Sequence, residues 1–243
     1  MSNVLILGAT SDIATAIASK FAAEKYDLSL AARNIQLLMP IKKDLEIRYQ
    51  NEVDLYTFDA IDFESHFQFF QNLKKKPEIT ICVFGLMEEE DQALESWQVC
   101  KKMIDTNYVG AVSILNIIAR HYIARKSGTI VGISSVAGER GRKSKLIYGS
   151  SKAAFSAYLA GLRNLTYNSN VQVVSVKPGF VDTKMTEELK LPPLLTAKPE
   201  LVAIKVYKGV KKGKNVIYVK WVWRYIMLII KLIPERIFKK MNL

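Results

Sequence analysis

Val4-Leu5-Ile6-Leu7-Gly8-Ala9-Thr10-Ser11-Asp12-Ile13-Ala14 joins a short apolar run to a turn opening on glycine and then to a helix-period segment. That segment, 13–25, carries apolar residues at Ile13, Ile17 and Phe21, one helical face. A strand, a tight turn and a helix start in this order open an α/β unit. The helix start offers free N–H groups and the positive end of the helix dipole, so the turn reads as a site for a pyrophosphate. Gly8, Thr10, Ser11, Asp12 and Ile13 are the residues placed to meet it. The signal is incomplete, because Asp12 and Ala14 stand where a dinucleotide fingerprint has its second and third glycines. Asp12 also reads as a helix-start residue satisfying free N–H groups.

Working outward, the same alternation repeats along the chain. Apolar β-type runs fall at 4–7, 28–31, 55–58, 79–84, 129–134, 171–176 and 216–219. They are rich in Val, Ile and Leu without strict alternation, as in strands covered on both faces. Helical segments of ten or more residues between strands require right-handed crossovers, hence a doubly wound parallel sheet of about seven strands. Leu191-Pro192-Pro193 breaks the chain and Lys198-Pro199-Glu200 starts another helix. The reading is one α/β domain over 1–219 and a C-terminal segment over 220–243.

The chain has 243 residues, 49% of them hydrophobic and 24% charged, which excludes disordered and low-complexity classes. Cys82 and Cys100 form no disulfide framework and no metal-ligand spacing, and a reducing compartment is expected. Residues 1–3 lead straight into the first apolar run without a cationic region, so no signal peptide is expected and the location reads as cytoplasmic. Of the net charge of +12, the segment from Lys198 onward carries +10, with 12 basic and 2 acidic residues. Charge gathered in a tail does not describe a nucleic-acid binder, which spreads it over a larger face.

Beyond the first turn, the second strand ends in Arg33, where an NAD site wants a carboxylate and a 2′-phosphate wants a cation. Asp59 follows the third strand and is placed to face an adenine edge. Ser134-Ser135 closes the fifth strand, and Tyr148-Gly149-Ser150-Ser151-Lys152 comes after it. Tyr148 and Lys152 are four residues apart and share a helix face. A nearby ammonium is expected to lower the phenol pKa toward working pH, making an acid/base, with a serine hydroxyl holding a carbonyl oxygen.

In this context the chain resembles the short-chain dehydrogenase/reductase family. Ser135 lies 13 residues before Tyr148, the family's spacing. Asn107 in Thr106-Asn107-Tyr108-Val109-Gly110 matches its helix asparagine, and Lys177-Pro178-Gly179 with Asp182-Thr183 matches its nicotinamide segment. The resemblance covers roughly residues 3–190 and implies a Rossmann fold. It departs from the family at the first turn, which keeps one glycine of three, and at Cys82-Val83-Phe84-Gly85, which keeps only Gly85 of Asn-Asn-Ala-Gly.

Carried over, the resemblance implies hydride transfer between a nicotinamide and a carbonyl or carbinol carbon. Tyr148 would be the proton donor, Lys152 would bind the nicotinamide ribose, and Ser135 would orient the carbonyl. Asn107 would support a water relay to Lys152. Cofactor contacts would further include Gly85, Pro178, Gly179, Val181 and Thr183. NADP is expected from Arg33, with NAD left open, and a homodimer or homotetramer is implied. Substrate contacts would come from loops near 86–95, 137–147 and 184–196.

Other eye-catching residues have plainer readings. His66 and His121 lack partners at ligand spacing and read as structural; no metal site is expected. Cys82 reads as a small buried hydrophobe. Glu88-Glu89-Glu90-Asp91 reads as a solvated loop flanking the site's mouth, with cation binding the lesser reading. Lys74-Lys75-Lys76 reads as a helix end, where cations suit the dipole. Lys211-Lys212-Gly213-Lys214 lacks interleaved aromatics, so no nucleic acid is expected.

The tail, 220–233, reads as a helix ended by Pro234. At 100° per residue Arg224 lies about 40° and Lys231 about 20° from Lys220, one cationic stripe on an otherwise apolar and aromatic surface. That describes a helix lying in a membrane surface, and a dimer interface is the alternative. The altered turn, the segment after Thr183 and Ile233-Pro234-Glu235 are together similar to a branch of the family. That branch holds the ketoreductase of decaprenylphosphoryl-ribose 2′-epimerase, which works with a flavoprotein oxidase. The leading expectation is therefore a reductase of a lipid-linked keto substrate, peripheral on the inner face of the membrane. A soluble NADPH-dependent reductase of a small ketone, fatty-acyl or steroid-like substrate, dimerised by the tail, is the runner-up. A non-catalytic nucleotide-binding scaffold at the membrane is the reading from another class; the intact set of four residues argues against it.

Overall fold

Five consecutive buried residues, Asn3–Leu7, form β1, and their side chains alternate between two cores. Val4 and Ile6 join a cluster with Ile17 and Phe21, whereas Leu5 and Leu7 join one with Phe70 and Phe155. This two-sided burial is why the strand reads as an unbroken apolar run. The computed structural model describes residues 2–187 and 191–241, so residues 188–190 of the expected substrate loop 184–196 lie outside the described residues.

Seven strands form one sheet in the order β3-β2-β1-β4-β5-β6-β7. The others are β2 (Asp27–Ala32), β3 (Val53–Thr57), β4 (Ile79–Cys82), β5 (Gly128–Ile133), β6 (Val171–Lys177) and β7 (Val216–Tyr218). Every pairing is parallel. The expected α/β class and strand number hold. β4 stops two residues early, because the N–H groups of Val83 and Phe84 both turn to the Leu7 carbonyl.

Helices cover both faces. They are α1 (Asp12–Ala23), α2 (Met39–Tyr49), α3 (Ser65–Gln71), α4 (Glu90–Glu95) and α5 (Trp97–Ile104). Then come α6 (Gly110–Arg125), α7 (Leu146–Leu165), α8 (Pro199–Lys211), α9 (Val222–Leu232) and α10 (Glu235–Phe238). Residues of α1, α2 and α8 share one core, and those of α3, α6 and α7 share the other. From β1 the chain winds outward to β3, then crosses to β4 and winds the other way. The carboxyl ends of β1 and β4 therefore flank the switch point where doubly wound sheets bind ligands. A π-helical turn, Asp105–Val109, links α5 to α6 and carries Asn107. Gly110 ends it, where a Cβ would lie 2.0 Å from the Ala60 carbonyl oxygen.

Candidate active site

The turn after β1 depends on Gly8, whose φ of +86° is left-handed and whose Cβ would sit 2.7 Å from the Phe84 backbone. Ser11, not Asp12, caps α1, its hydroxyl accepting from the Ala14 N–H at 3.2 Å. The expected capping by Asp12 is thus corrected. Its carboxylate reaches across the cleft to accept the Lys184 N–H at 2.8 Å, 172 residues away in the chain. The N–H groups of Asp12 and Ile13 meet no acceptor among the described residues. They open on a cleft of about 460 Å³.

All the cofactor candidates from Gly8 to Thr183 line this cleft, and so do Ser135, Tyr148 and Lys152. Arg33 is exposed at one end, with no ion pair among the described residues, and Asp59 accepts the Ile61 N–H at 3.1 Å. Pro178 binds the loop after Ser135, its carbonyl accepting from Val136 N–H at 2.9 Å. Thr183 caps a short turn with Thr186, and Val181 is buried beside Ala197.

Asn107 lies just behind the cleft wall, 1% exposed. Both ends of its amide hold Leu86: Nδ2 donates to the carbonyl at 2.7 Å and Oδ1 accepts from the N–H at 3.0 Å. A Cβ on Gly85 would lie 2.9 Å from Asn107 Oδ1 and 3.1 Å from Lys152 Nζ, so a glycine lets both groups close on the same point.

α7 brings Tyr148 and Lys152 to the cleft on one face, as the four-residue spacing requires. The Ser135 hydroxyl accepts the Ala137 N–H at 3.1 Å and lines the cleft with the Tyr148 phenol. The expected depression of the phenol pKa is overturned. Burial pushes Tyr148 up to about 12, against a smaller lowering by Ser135, and burial pushes Lys152 down to about 8. Lys152 Nζ sits 5.7 Å from the Tyr148 ring centre and donates to the Ile133 carbonyl at 3.3 Å. Desolvation is the largest cause for both groups, and neither shift includes a contribution from the other. The phenol is therefore firmly protonated, the state a proton donor needs. Cys82, buried nearby in β4, has its thiol pushed up to about 12 by burial and is inert, as a small hydrophobe should be.

Three features escaped the sequence reading. Glu90, from the supposedly solvated acidic run, is buried and accepts the N–H groups of Ile147 at 3.0 Å and Tyr148 at 3.4 Å. It caps the helix that carries Tyr148, across 57 residues of chain. Trp223 of α9 lines the cleft, its indole N–H donating to the Leu195 carbonyl at 3.1 Å. A Cβ on Gly179 would lie 2.0 Å from that ring. Third, Lys102, Arg142 and Lys145 line the cleft, and no local spacing signals this.

α9 packs its inner face on Val136 through Trp223 and Met227. The single cationic stripe is corrected as well. The helix starts at Val222, so Lys220 precedes it and donates to the Leu194 carbonyl at 2.7 Å. Lys231 pairs with buried Glu139 at 2.7 Å, beside Lys177 and the Tyr218 hydroxyl. Two of the three cations thus bind the domain. Arg140 closes the end of α9, donating to the Ile233 carbonyl at 2.6 Å and pairing with Glu235 at 2.9 Å. The outer face stays bare: Trp221 is 74% and Leu232 73% exposed. No helix among the described residues is long and apolar enough to cross a membrane.

Comparison with known proteins agrees with this geometry. An uncharacterized oxidoreductase of Mycobacterium tuberculosis is 29% identical over 98% of this chain and 96% of its own. One of Streptomyces coelicolor is 30% identical over 98% of this chain and 95% of its own. In fold, the chain is similar to a short-chain dehydrogenase from Sphingobium yanoikuyae solved with NADPH. The TM-score is 0.85 at 21% identity, covering 94% of this chain and 92% of that one. The family model described as short chain dehydrogenase matches residues 2–193. With most of the chain matched, and the match spanning the cleft from the Gly8 turn to Thr183, the protein belongs to the short chain dehydrogenase family of oxidoreductases.

Proposed function

We propose that the chain is an NADPH-dependent carbonyl reductase in which Tyr148 is the proton donor. The observation that carries this is that Ser135, Tyr148 and Lys152 line one cleft, with Tyr148 and Lys152 on the same face of α7. The cleft fits a dinucleotide: two N–H groups at the start of α1, free among the described residues, suit a pyrophosphate, and Arg33, unpaired among the described residues, suits a 2′-phosphate. The bound NADPH of the Sphingobium structure supports the same choice; NADH is the second choice. When bound, the cofactor supplies the hydride. The substrate carbonyl oxygen is held by the Ser135 hydroxyl and takes the Tyr148 proton as its carbon becomes a carbinol. The Lys152 ammonium then faces a developing phenolate and stabilises it, besides holding the nicotinamide ribose. Asn107 braces the Gly85–Leu86 turn beside Lys152.

Met87, Val136, Phe180, Met185 and Trp223 line the cleft, which suits a ketone with an apolar body, fatty-acyl or steroid-like. Residues 1–219 carry the chemistry, and 220–243 add the wall that holds Trp223. Under this reading the bare face of α9 joins two copies in a dimer, the unit of a dimeric or tetrameric enzyme. The second reading takes the bare face as a membrane contact. Exposed Trp221, Tyr225, Leu228 and Ile229 favour it, with Arg236, Lys239 and Lys240 beside them. In that case a lipid-linked keto sugar and a flavoprotein oxidase partner follow, at the inner face of the membrane.

The test is oxidation of NADPH and NADH by the purified chain over a panel of ketones. Tyr148→Phe should lower turnover by about 10²–10⁴-fold while NADPH binding stays within about twofold. Undiminished turnover refutes the assignment.

A further inference from the structure

Charged residues lining the cleft divide between its two ends. Arg33, Asp59, Asp12 and Lys184 belong to the end where β1, β2 and β3 finish and α1 begins. Three more cations line the cleft with Tyr148. Arg142 and Lys145 precede it by six and three residues, and Lys102 is on α5, one helical turn before cleft-lining Thr106. None of the three has a carboxylate partner among the described residues, although their neighbours do. Lys101 pairs with Asp105, and Arg140 pairs with Glu235. Glu90, whose carboxylate reaches the start of α7, is occupied by the N–H groups of Ile147 and Tyr148.

Arg142 is the most informative of them. It is half-buried, and its Nε is shut off from solvent with no hydrogen-bond acceptor among the described residues. Burial pushes its pKa down from the ordinary guanidinium value. A guanidinium N–H left without an acceptor is costly and rare in a folded protein, and it asks for an acidic oxygen from outside the chain. The opposite wall is apolar, with Phe180 and Trp223 edge to face at 5.3 Å.

We propose that Lys102, Arg142 and Lys145 form an anion subsite beside Tyr148, and that the substrate is a ketone bearing a carboxylate or phosphate on an apolar body. The proposal rests on the reductase reading above for the meaning of substrate. A planar guanidinium meets either anion through paired N–H groups, and the lysines add compact charge.

The full-length chain is assayed with NADPH on matched ketones: levulinate, its methyl ester, the corresponding keto-alkyl phosphate, and a long-chain homologue of each. The expected result is a kcat/KM for an anionic ketone about 10–100-fold above that of its neutral ester at one length or both. Carboxylate and phosphate arms show which anion is preferred. Arg142→Gln should bring the anionic-to-neutral ratio to within about threefold of unity, and Arg142→Lys should restore part of it. Retained NADPH binding by fluorescence shows that the variant is folded. To separate this proposal from the reductase reading, the Tyr148→Phe chain loaded with NADPH is titrated with the same compounds without turnover. Preferential anion binding there, lost on adding Arg142→Gln, supports the subsite even if no ketone is reduced, which would refute the reductase reading alone. Equal binding of anion and ester at both lengths, or a ratio unmoved by Arg142→Gln, overturns the subsite.

Discussion

Whether α9 is a wall of the catalytic cleft or a loosely attached tail can be decided by a double-mutant cycle between Gly179 and Trp223. A Cβ on residue 179 would sit 2.0 Å from Trp223 Cε2 and Nε1, where ordinary contact begins near 3.4 Å. The indole cannot simply swing aside, because its N–H is bonded to the Leu195 carbonyl and its ring packs edge to face on Phe180 at 5.3 Å. Gly179→Ala should therefore cost about 1–3 kcal/mol, the usual penalty for overpacking. In a chain of this size that is roughly 2–12 °C in Tm. Trp223→Ala should cost about 3–5 kcal/mol, since a 5%-exposed ring leaves a void and an unmet carbonyl. In the Trp223→Ala background the new methyl group finds space, so Gly179→Ala should cost nothing or restore a little. The coupling energy is then about 1–3 kcal/mol. Urea denaturation of the four proteins measures it, and KM for a ketone should rise in each single variant. Equal cost of Gly179→Ala in both backgrounds would refute the packing argument and leave the tail outside the catalytic unit.

Glu90→Ala leaves the N–H groups of Ile147 and Tyr148 without their acceptor. It should cost about 1–3 kcal/mol in stability and lower kcat more than it weakens NADPH binding, with Glu90→Gln recovering part; an unchanged kcat would remove Glu90 from the positioning of Tyr148. Lys152 has its pKa lowered from 10.5 to about 8 on folding, so between these values the unfolded chain holds more protons and stability rises with pH. Unfolding of the cofactor-free protein should thus gain up to about 3 kcal/mol from pH 8 to 10.5 relative to Lys152→Met, and parallel pH profiles would contradict the burial argument. Arg33→Ala should weaken NADPH binding by about 10–100-fold and NADH binding by less than about twofold, read by fluorescence titration. Equal losses for both cofactors would place the 2′-phosphate elsewhere.

Much of this was legible in the sequence because the relevant physics is local. Tyr148 and Lys152 are four residues apart on one helix, so their common face needs no knowledge of the fold. The strands announce themselves because strands covered on both faces are rich in Val, Ile and Leu without strict alternation, as Val4–Leu7 is. Gly8 is legible because the chain must turn from strand to helix there. Glu90 was misread because an acidic run is usually solvated, and only the approach of α7 gives it two N–H groups to accept. The tail helix was misread in part because its wheel shows a stripe of cations but not Glu139, which receives Lys231.

The sequence by itself determined the class of sheet, its strand number and the local placement of Tyr148, Lys152 and Arg33, since periodicity and short spacing survive in any context. Only the tertiary structure decided the protonation of Tyr148 and Lys152, the capping of α7 by Glu90 and the seating of Trp223 on Gly179. Desolvation depends on what covers a group, and contact depends on which distant segments meet. The Tyr148 phenol was expected to fall in pKa beside an ammonium, and burial in the cleft wall pushes it up instead.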